Sequence, residues 1–140
     1  MTQPFPAEGA PDAELARAVD YSCFAGAGAV LSTPSDLVRF GLALHTGTLL
    51  KRGTVAKLQS PQLLSSGQET EYGLGWMLHT VTLGGEPTRE VGHASLTVVG
   101  SSTSFLTFPD RGIVVAVMAN TSRANTRAIA LAIAEAFAER

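Results

Sequence analysis

The sequence predicts an α+β domain, an antiparallel sheet packed with helices on its N-terminal side and an amphipathic helix at its C-terminus. Three observations carry this. A capped, apolar-periodic stretch begins at Thr33; the period changes to that of strands after Tyr72; a helical period returns with Ile129, Ile133 and Phe137 at spacing four. At 140 residues the chain suits one domain with a real core.

Met1 to Pro11 is rich in Pro, Gly and Ala and is expected to be irregular, with a helical turn over Asp12 to Val19. Residues 1–19 are therefore a lead-in to a domain over 20–140. Ala25-Gly26-Ala27-Gly28-Ala29 gathers small residues, which let backbones approach closely. Thr33 can N-cap a helix, Pro34 suits its first position, and Asp36 completes a capping-box variant. Leu37, Phe40, Gly41 and Leu44 then share one face of a helix to about His45, which Gly47 can end. A second helix is expected over Gly53 to Gln59, closed by Ser60-Pro61, and Gln62 to Thr70 is a loop.

Tyr72 to Val81 is expected as one bent strand, its glycines at 73 and 75 marking the bend. Two strands, Thr88 to Val91 and Leu96 to Val99, flank Gly92-His93. Ser104 to Phe108 and Ile113 to Ala119 make a hairpin around Pro109-Asp110-Arg111-Gly112. Thr121 or Ser122 is placed to cap the last helix, with Ile129, Ile133 and Phe137 as its apolar face.

Composition excludes several functions. Ten basic against twelve acidic residues, with no basic cluster, argue against nucleic acid as a partner. The apolar runs are too short to span a bilayer, so no membrane role is expected. Met1 to Pro11 has neither a basic nor an apolar signal region, which makes the cytoplasm the default location. Cys23 is the single cysteine and the three histidines lack metal-ligand spacing, so neither a disulfide, a metal nor a cofactor is expected.

Gly92-His93-Ala94-Ser95 is the one place where a titratable side chain sits among small residues in a strand pattern. A neutral imidazole there can pass a proton or hold a substrate carboxylate. On spacing alone, a half-buried histidine satisfied by a carbonyl is the stronger reading. Ser95 has no base near it in sequence, which a nucleophilic serine needs. His45 at a helix end, His79 in a strand without an acidic neighbour, and the Thr54-x-x-Lys57 pair are assigned structural or surface roles. Tyr72 and Trp76 are assigned to the core.

Several segments together resemble one family. They are Ala29-Val-Leu-Ser-Thr-Pro-Ser-Asp-Leu-Val-Arg-Phe-Gly41, Leu49 to Gln62, Tyr72-Gly-Leu-Gly-Trp76, Gly92-His93, Ser104 to Ile113, and Val114-Val-Ala-Val-Met-Ala-Asn120. Their order and spacing, from about residue 20 onward, resemble the C-terminal half of the serine β-lactamase-related family: class C β-lactamases, D-Ala-D-Ala carboxypeptidases, family VIII esterases and LACTB-like proteins. The resemblance implies a partial β-lactamase/transpeptidase-like fold. It implies acyl transfer from an ester, amide or β-lactam to water, through a Ser-x-x-Lys nucleophile pair and a Tyr-x-Asn motif. Neither motif occurs in these residues, so the chain alone is expected to be inert. The family's Lys-Thr-Gly or His-x-Gly strand motif maps onto His93-Ala94-Ser95. By that resemblance His93 is a catalytic-cleft residue, and Ala94, Ser95 and Leu96 line the substrate groove and offer an oxyanion-hole N–H. The family places glycine where Ser95 and Leu96 stand.

The resemblance further implies that two strands from the absent half would pair beside Ile113 to Ala119. Without them this uncharged strand is an edge that invites a second copy or a complementing N-terminal half. A small-molecule ester or amide is the expected substrate once the fold is completed. The alternative is a non-catalytic half-domain that self-associates or binds a partner.

Overall fold

The computed structural model describes residues 20, 22–24, 26–28, 30–96 and 100–139. The expected lead-in and helical turn over residues 1–19 lie outside these, as do residues 97–99. After a 3-10 turn at Ser22–Phe24 come α1 (Pro34–Thr46), α2 (Arg52–Leu58), β1 (Met77–Leu83), β2 (Glu86–Leu96), β3 (Ser102–Phe108), β4 (Ile113–Ala119) and α3 (Thr126–Ala138). The four strands form one antiparallel sheet in sequence order, with α1 and α3 both packed against β4. The expected α+β arrangement is the one observed.

Local chemistry accounts for α1. Thr33 Oγ1 accepts from the Asp36 amide at 3.2 Å, Pro34 occupies the first turn, and Gly47 ends the helix at φ +77°. Asp36 accepts from the Thr33 hydroxyl and from Arg39, and these bonds hold its carboxyl below the usual carboxylate range. The helix rests on the sheet through Gly41, where a Cβ would sit 2.7 Å from Val114 Cγ1 and 3.1 Å from the Phe105 ring. Phe40 adds a tilted ring contact to Phe105 at 6.0 Å. Only a glycine lets this helix lie so close to β4.

The strand region departs from expectation twice. Tyr72 to Trp76 is not strand. Gly75 at φ +81° turns the segment, the Gly73 amide donates to the Trp76 carbonyl at 2.7 Å, and β1 begins at Met77. Conversely, the two strands expected around Gly92-His93 are one, because β2 runs unbroken through that pair. Its length comes from pairing, since β1 covers it up to Gly92 and β3 covers it from Val91 to Leu96. Gly84 and Gly85, at φ +59° and +78°, supply the two-residue turn joining β1 to β2. The Pro109 to Gly112 turn is as expected, with Gly112 at φ +65°.

The core lies between the sheet and α3: Leu83, Leu106, Phe108, Val115, Ala130 and Ala134. The apolar face assigned to α3 from the sequence is therefore corrected. Thr126, Ala130 and Ala134 are buried, whereas Ile129, Ile133 and Phe137 are 46%, 37% and 56% exposed. Close approach decides this, because a row of small side chains lets α3 settle onto β3 and β4 and leaves the larger row at its flank. The Thr126 hydroxyl meets that of buried Ser104 at 2.9 Å, pinning the helix start. The cap is also corrected, from Thr121 or Ser122 to Asn125, whose Oδ1 accepts from the Ala128 amide at 3.0 Å. Thr121 is engaged elsewhere, its carbonyl accepting from Ser102 and its hydroxyl from the Arg123 amide.

One buried charge ties α3 to β2. Glu90 is 2% exposed and takes two bonds from Arg127, at 2.6 and 3.2 Å. The fork-to-fork geometry satisfies both carboxylate oxygens. Further along, Glu135 accepts from the Gly84 amide at 3.0 Å. These contacts orient α3, with its 127/131/135 row turned toward β1 and β2.

Candidate active-site strand

The segment singled out in the sequence is the C-terminal end of β2. Because β1 starts opposite Gly92, residues His93 to Leu96 pair only with β3 among the described strands. No described strand pairs with their other edge, and backbone N–H and C=O groups on such an edge can meet a ligand. Gly92 sets the geometry. A Cβ on it would strike the Phe105 carbonyl oxygen and lie 3.0 Å from Leu106 Cα, so strands β2 and β3 touch here at main-chain distance.

Strand alternation then divides the expected site residues. His93 lies opposite Phe105, and Ser95 opposite Thr103, on the sheet face that carries α1. Ala94 lies opposite Ser104, on the face that carries α3. The exposed His93 imidazole meets the hydroxyl of Tyr72, Oη to Nε2 at 3.2 Å, with the rings edge-on at 6.2 Å between centroids. Tyr72 was assigned to the core from sequence and is instead half-exposed and joined to His93. Its main chain is pinned, the carbonyl accepting from the Gln62 amide at 3.0 Å and from Thr70 at 2.9 Å. Glycine at 73, pressed against the Leu58 and Ser60 carbonyls, permits that fold-back.

On the α3 side, Ala94 lines a cavity of about 610 Å³ together with Ser104, Arg123, Asn125 and Arg127, and Ser95, next along the strand, reaches its rim. Its polar groups are largely committed: the Ser104 hydroxyl pairs with that of Thr126, Asn125 Oδ1 accepts from the Ala128 amide, and the Arg127 guanidinium donates to Glu90. Among the described residues no base is seen beside Ser95, and the neighbouring imidazole, that of His93, bonds to Tyr72. As a nucleophile it remains unsupported. For Leu96 the backbone alone is described, at the end of β2.

The remaining histidines stand apart. His79 does have an acidic neighbour, Glu71 Oε2 at 3.9 Å from its Nδ1, brought close by the loop before β1. Both lie on a second hollow of about 580 Å³ with Glu69 and Arg89. His45 is partly buried near the end of α1, neither ring nitrogen has a partner among the described residues, and burial pushes its pKa down. Desolvation thus opposes the favourable helix-end position expected for a cation there. Thr54 and Lys57 are exposed on α2. Among the described residues no group of three or more His, Cys, Asp or Glu side chains is arranged to hold a metal.

A family model for beta-lactamases matches residues 2–140. The chain belongs to the beta-lactamase family. Over 53 residues it is 38% identical to "Penicillin-binding protein 4*" of Bacillus subtilis, a match covering 38% of this chain and 12% of that protein. As a partial beta-lactamase-like domain, the chain combines the antiparallel sheet with its flanking helices. Within its 140 residues there is no Ser-x-x-Lys and no Tyr-x-Asn.

Proposed function

We propose that this chain is the sheet-bearing portion of a serine hydrolase acting on esters, amides or β-lactams, and that it is not catalytic alone. The observation that carries the reading is the edge of β2 from His93 to Leu96 with which no described strand pairs, entered at an exposed imidazole. A carbonyl compound laid along that edge meets backbone N–H groups suited to an oxyanion. In the proposed reaction a serine hydroxyl supplied in trans adds to the carbonyl carbon while a neighbouring lysine takes its proton. The tetrahedral oxyanion is held by N–H groups of the strand, the leaving group departs with a proton, and water then releases the acyl group. His93 binds the substrate, and Ala94, Ser95 and Leu96 form the groove.

For the partner we propose the edge of β4 with which no described strand pairs. Ile113 to Ala119 carries no charge, and such an edge accepts a further strand. Rotation about α3 supports the same surface. Its 127/131/135 row turns toward β1 and β2, and its 126/130/134 row faces the sheet. At about 100° per residue the row containing Ile129 and Ile133 overhangs the β4 edge. A strand entering beside β4 would bury it. The occupant is a second copy or a segment bearing the nucleophile. This surface also favours a second reading, a non-catalytic half-domain whose role is that association.

The test is hydrolysis of nitrocefin and of a p-nitrophenyl ester by the purified chain and by its His93→Ala variant. No turnover above buffer is expected from either. Turnover that disappears in His93→Ala, or labelling of one serine by a penicillin, would overturn the claim that the chain is inert alone. Sedimentation tests the partner surface. A species heavier than the 14.6 kDa chain is expected, and a monodisperse monomer with slow amide exchange along β4 would contradict it.

A further inference from the structure

We infer that Tyr72 is a positioning residue, which fixes the tautomer of His93 so that this side chain serves a ligand as a hydrogen-bond donor and not as a base. The inference rests on the reading of His93 as a cleft residue and specifies what that residue does there.

A neutral imidazole carries one N–H and one bare nitrogen, and the hydrogen bond made by one nitrogen decides the state of the other. Here the Tyr72 hydroxyl is 3.2 Å from Nε2. Either group can donate in such a pair, but a phenol is a better hydrogen-bond donor than acceptor and a bare imidazole nitrogen is a strong acceptor, so the favoured arrangement has Nε2 accepting and the proton on Nδ1. Nδ1 has no hydrogen-bond partner among the described residues, so its N–H is the group left for a ligand. It suits an acyl or carboxylate oxygen, and the lone pair needed to take a proton is already committed to the phenol.

Two features make the pair a constructed one. Tyr72 is not free to wander, because its carbonyl takes bonds from Gln62 and Thr70 and its strand-like bridge to Met77 is in register with Gly92, the residue before His93. The chain is also held immediately after it, where the Gly73 amide bonds Trp76 and the Leu74 amide bonds the Leu58 carbonyl. Both rings therefore project from anchored backbone, and the edge-on packing at 88° limits rotation of the imidazole. On the proposed function, the base that activates the serine then comes wholly from the completing segment. His93 contributes binding of the substrate oxygen.

The experiment is long-range ¹H–¹⁵N correlation spectroscopy of the ¹⁵N-labelled chain at about pH 8, where an imidazole is neutral. His93→Gln identifies the His93 signals among those of the three histidines. The expected wild-type pattern is a protonated Nδ1 and a bare, hydrogen-bonded Nε2. Tyr72→Phe keeps the ring and removes the hydroxyl, and the Nδ1–H signature should be lost or become a mixture of both forms. An Nε2–H signature in the wild type, or ring signals unchanged in Tyr72→Phe, overturns the inference. The tautomer is read without any turnover, so failure here leaves the hydrolase reading standing. Failure of complementation assays, conversely, leaves the tautomer result intact.

Discussion

Replacing Gly92 by alanine tests the main-chain contact on which the active-site strand depends. The added methyl has no empty space to enter, because it points at the Phe105 carbonyl oxygen and lies 2.9 Å from Leu106 Cδ2 and 3.0 Å from Leu106 Cα. The leucine tip can rotate away, but the carbonyl and Cα belong to the neighbouring strand and cannot. Relief requires β2 and β3 to separate locally. Overpacking of this kind costs about 1–3 kcal/mol, and loosening the adjoining ladder bonds adds about 1 kcal/mol. The stiffer unfolded chain returns roughly 0.4–1 kcal/mol. The net is a loss of about 2 kcal/mol, which for a chain of this size lowers Tm by roughly 5–10 °C. Urea unfolding followed by circular dichroism measures it, with an unchanged m-value expected. Gly53→Ala is the matched control. Nothing lies within 4 Å of a Cβ there, so helix α2 should gain about 0.5–1 kcal/mol. If Gly92→Ala proves as stable as the parent, the two strands are not in main-chain contact at this point and the argument for the site's geometry fails.

Other perturbations follow from the same contacts. Arg127→Ala leaves Glu90 buried without its partner and should destabilise the fold by about 2–4 kcal/mol. Pairing it with Glu90→Leu should recover part of that loss in a double-mutant cycle. His45 should make the protein acid-sensitive. Its folded pKa is depressed by burial, so below the unfolded value near 6.5 the unfolded chain binds the proton first. Stability contributed by the neutral ring is intact above that value and falls as pH drops toward the folded pKa. His45→Gln should flatten the difference in urea midpoint between about pH 7.5 and pH 5, and an equal pH slope in both proteins would show that burial of this ring has no such effect.

Much of the architecture was legible because it is local. Thr33-Pro34-Ser35-Asp36 and Gly47 bracket α1 through bonds made within a few residues, and Pro109 to Gly112 turns β3 into β4 by backbone preference alone. Gly84-Gly85 carries the same kind of turn signal, two adjacent glycines between strand-forming runs. The face of α3 was not legible. Periodicity shows that Ile129, Ile133 and Phe137 share a stripe, but Ala130 and Ala134 share another, and only the distance of approach to β3 and β4 selects the smaller row for burial. The site divides in the same way. His93 could be found from its small neighbours, whereas Tyr72, twenty-one residues earlier, meets it only because two glycine-permitted folds bring the chain back.

By itself the sequence determined the two ends of α1, the turn between β3 and β4 and the strand-forming runs on either side of it, and it determined that these residues hold no Ser-x-x-Lys to begin acyl transfer. Tertiary structure decided which faces are buried, which edge of β2 is open and which hydroxyl holds the imidazole. The physical reason is range. Capping and turn preferences are settled by atoms close along the chain, while burial, edge exposure and side-chain pairing depend on residues that meet only after the sheet has formed.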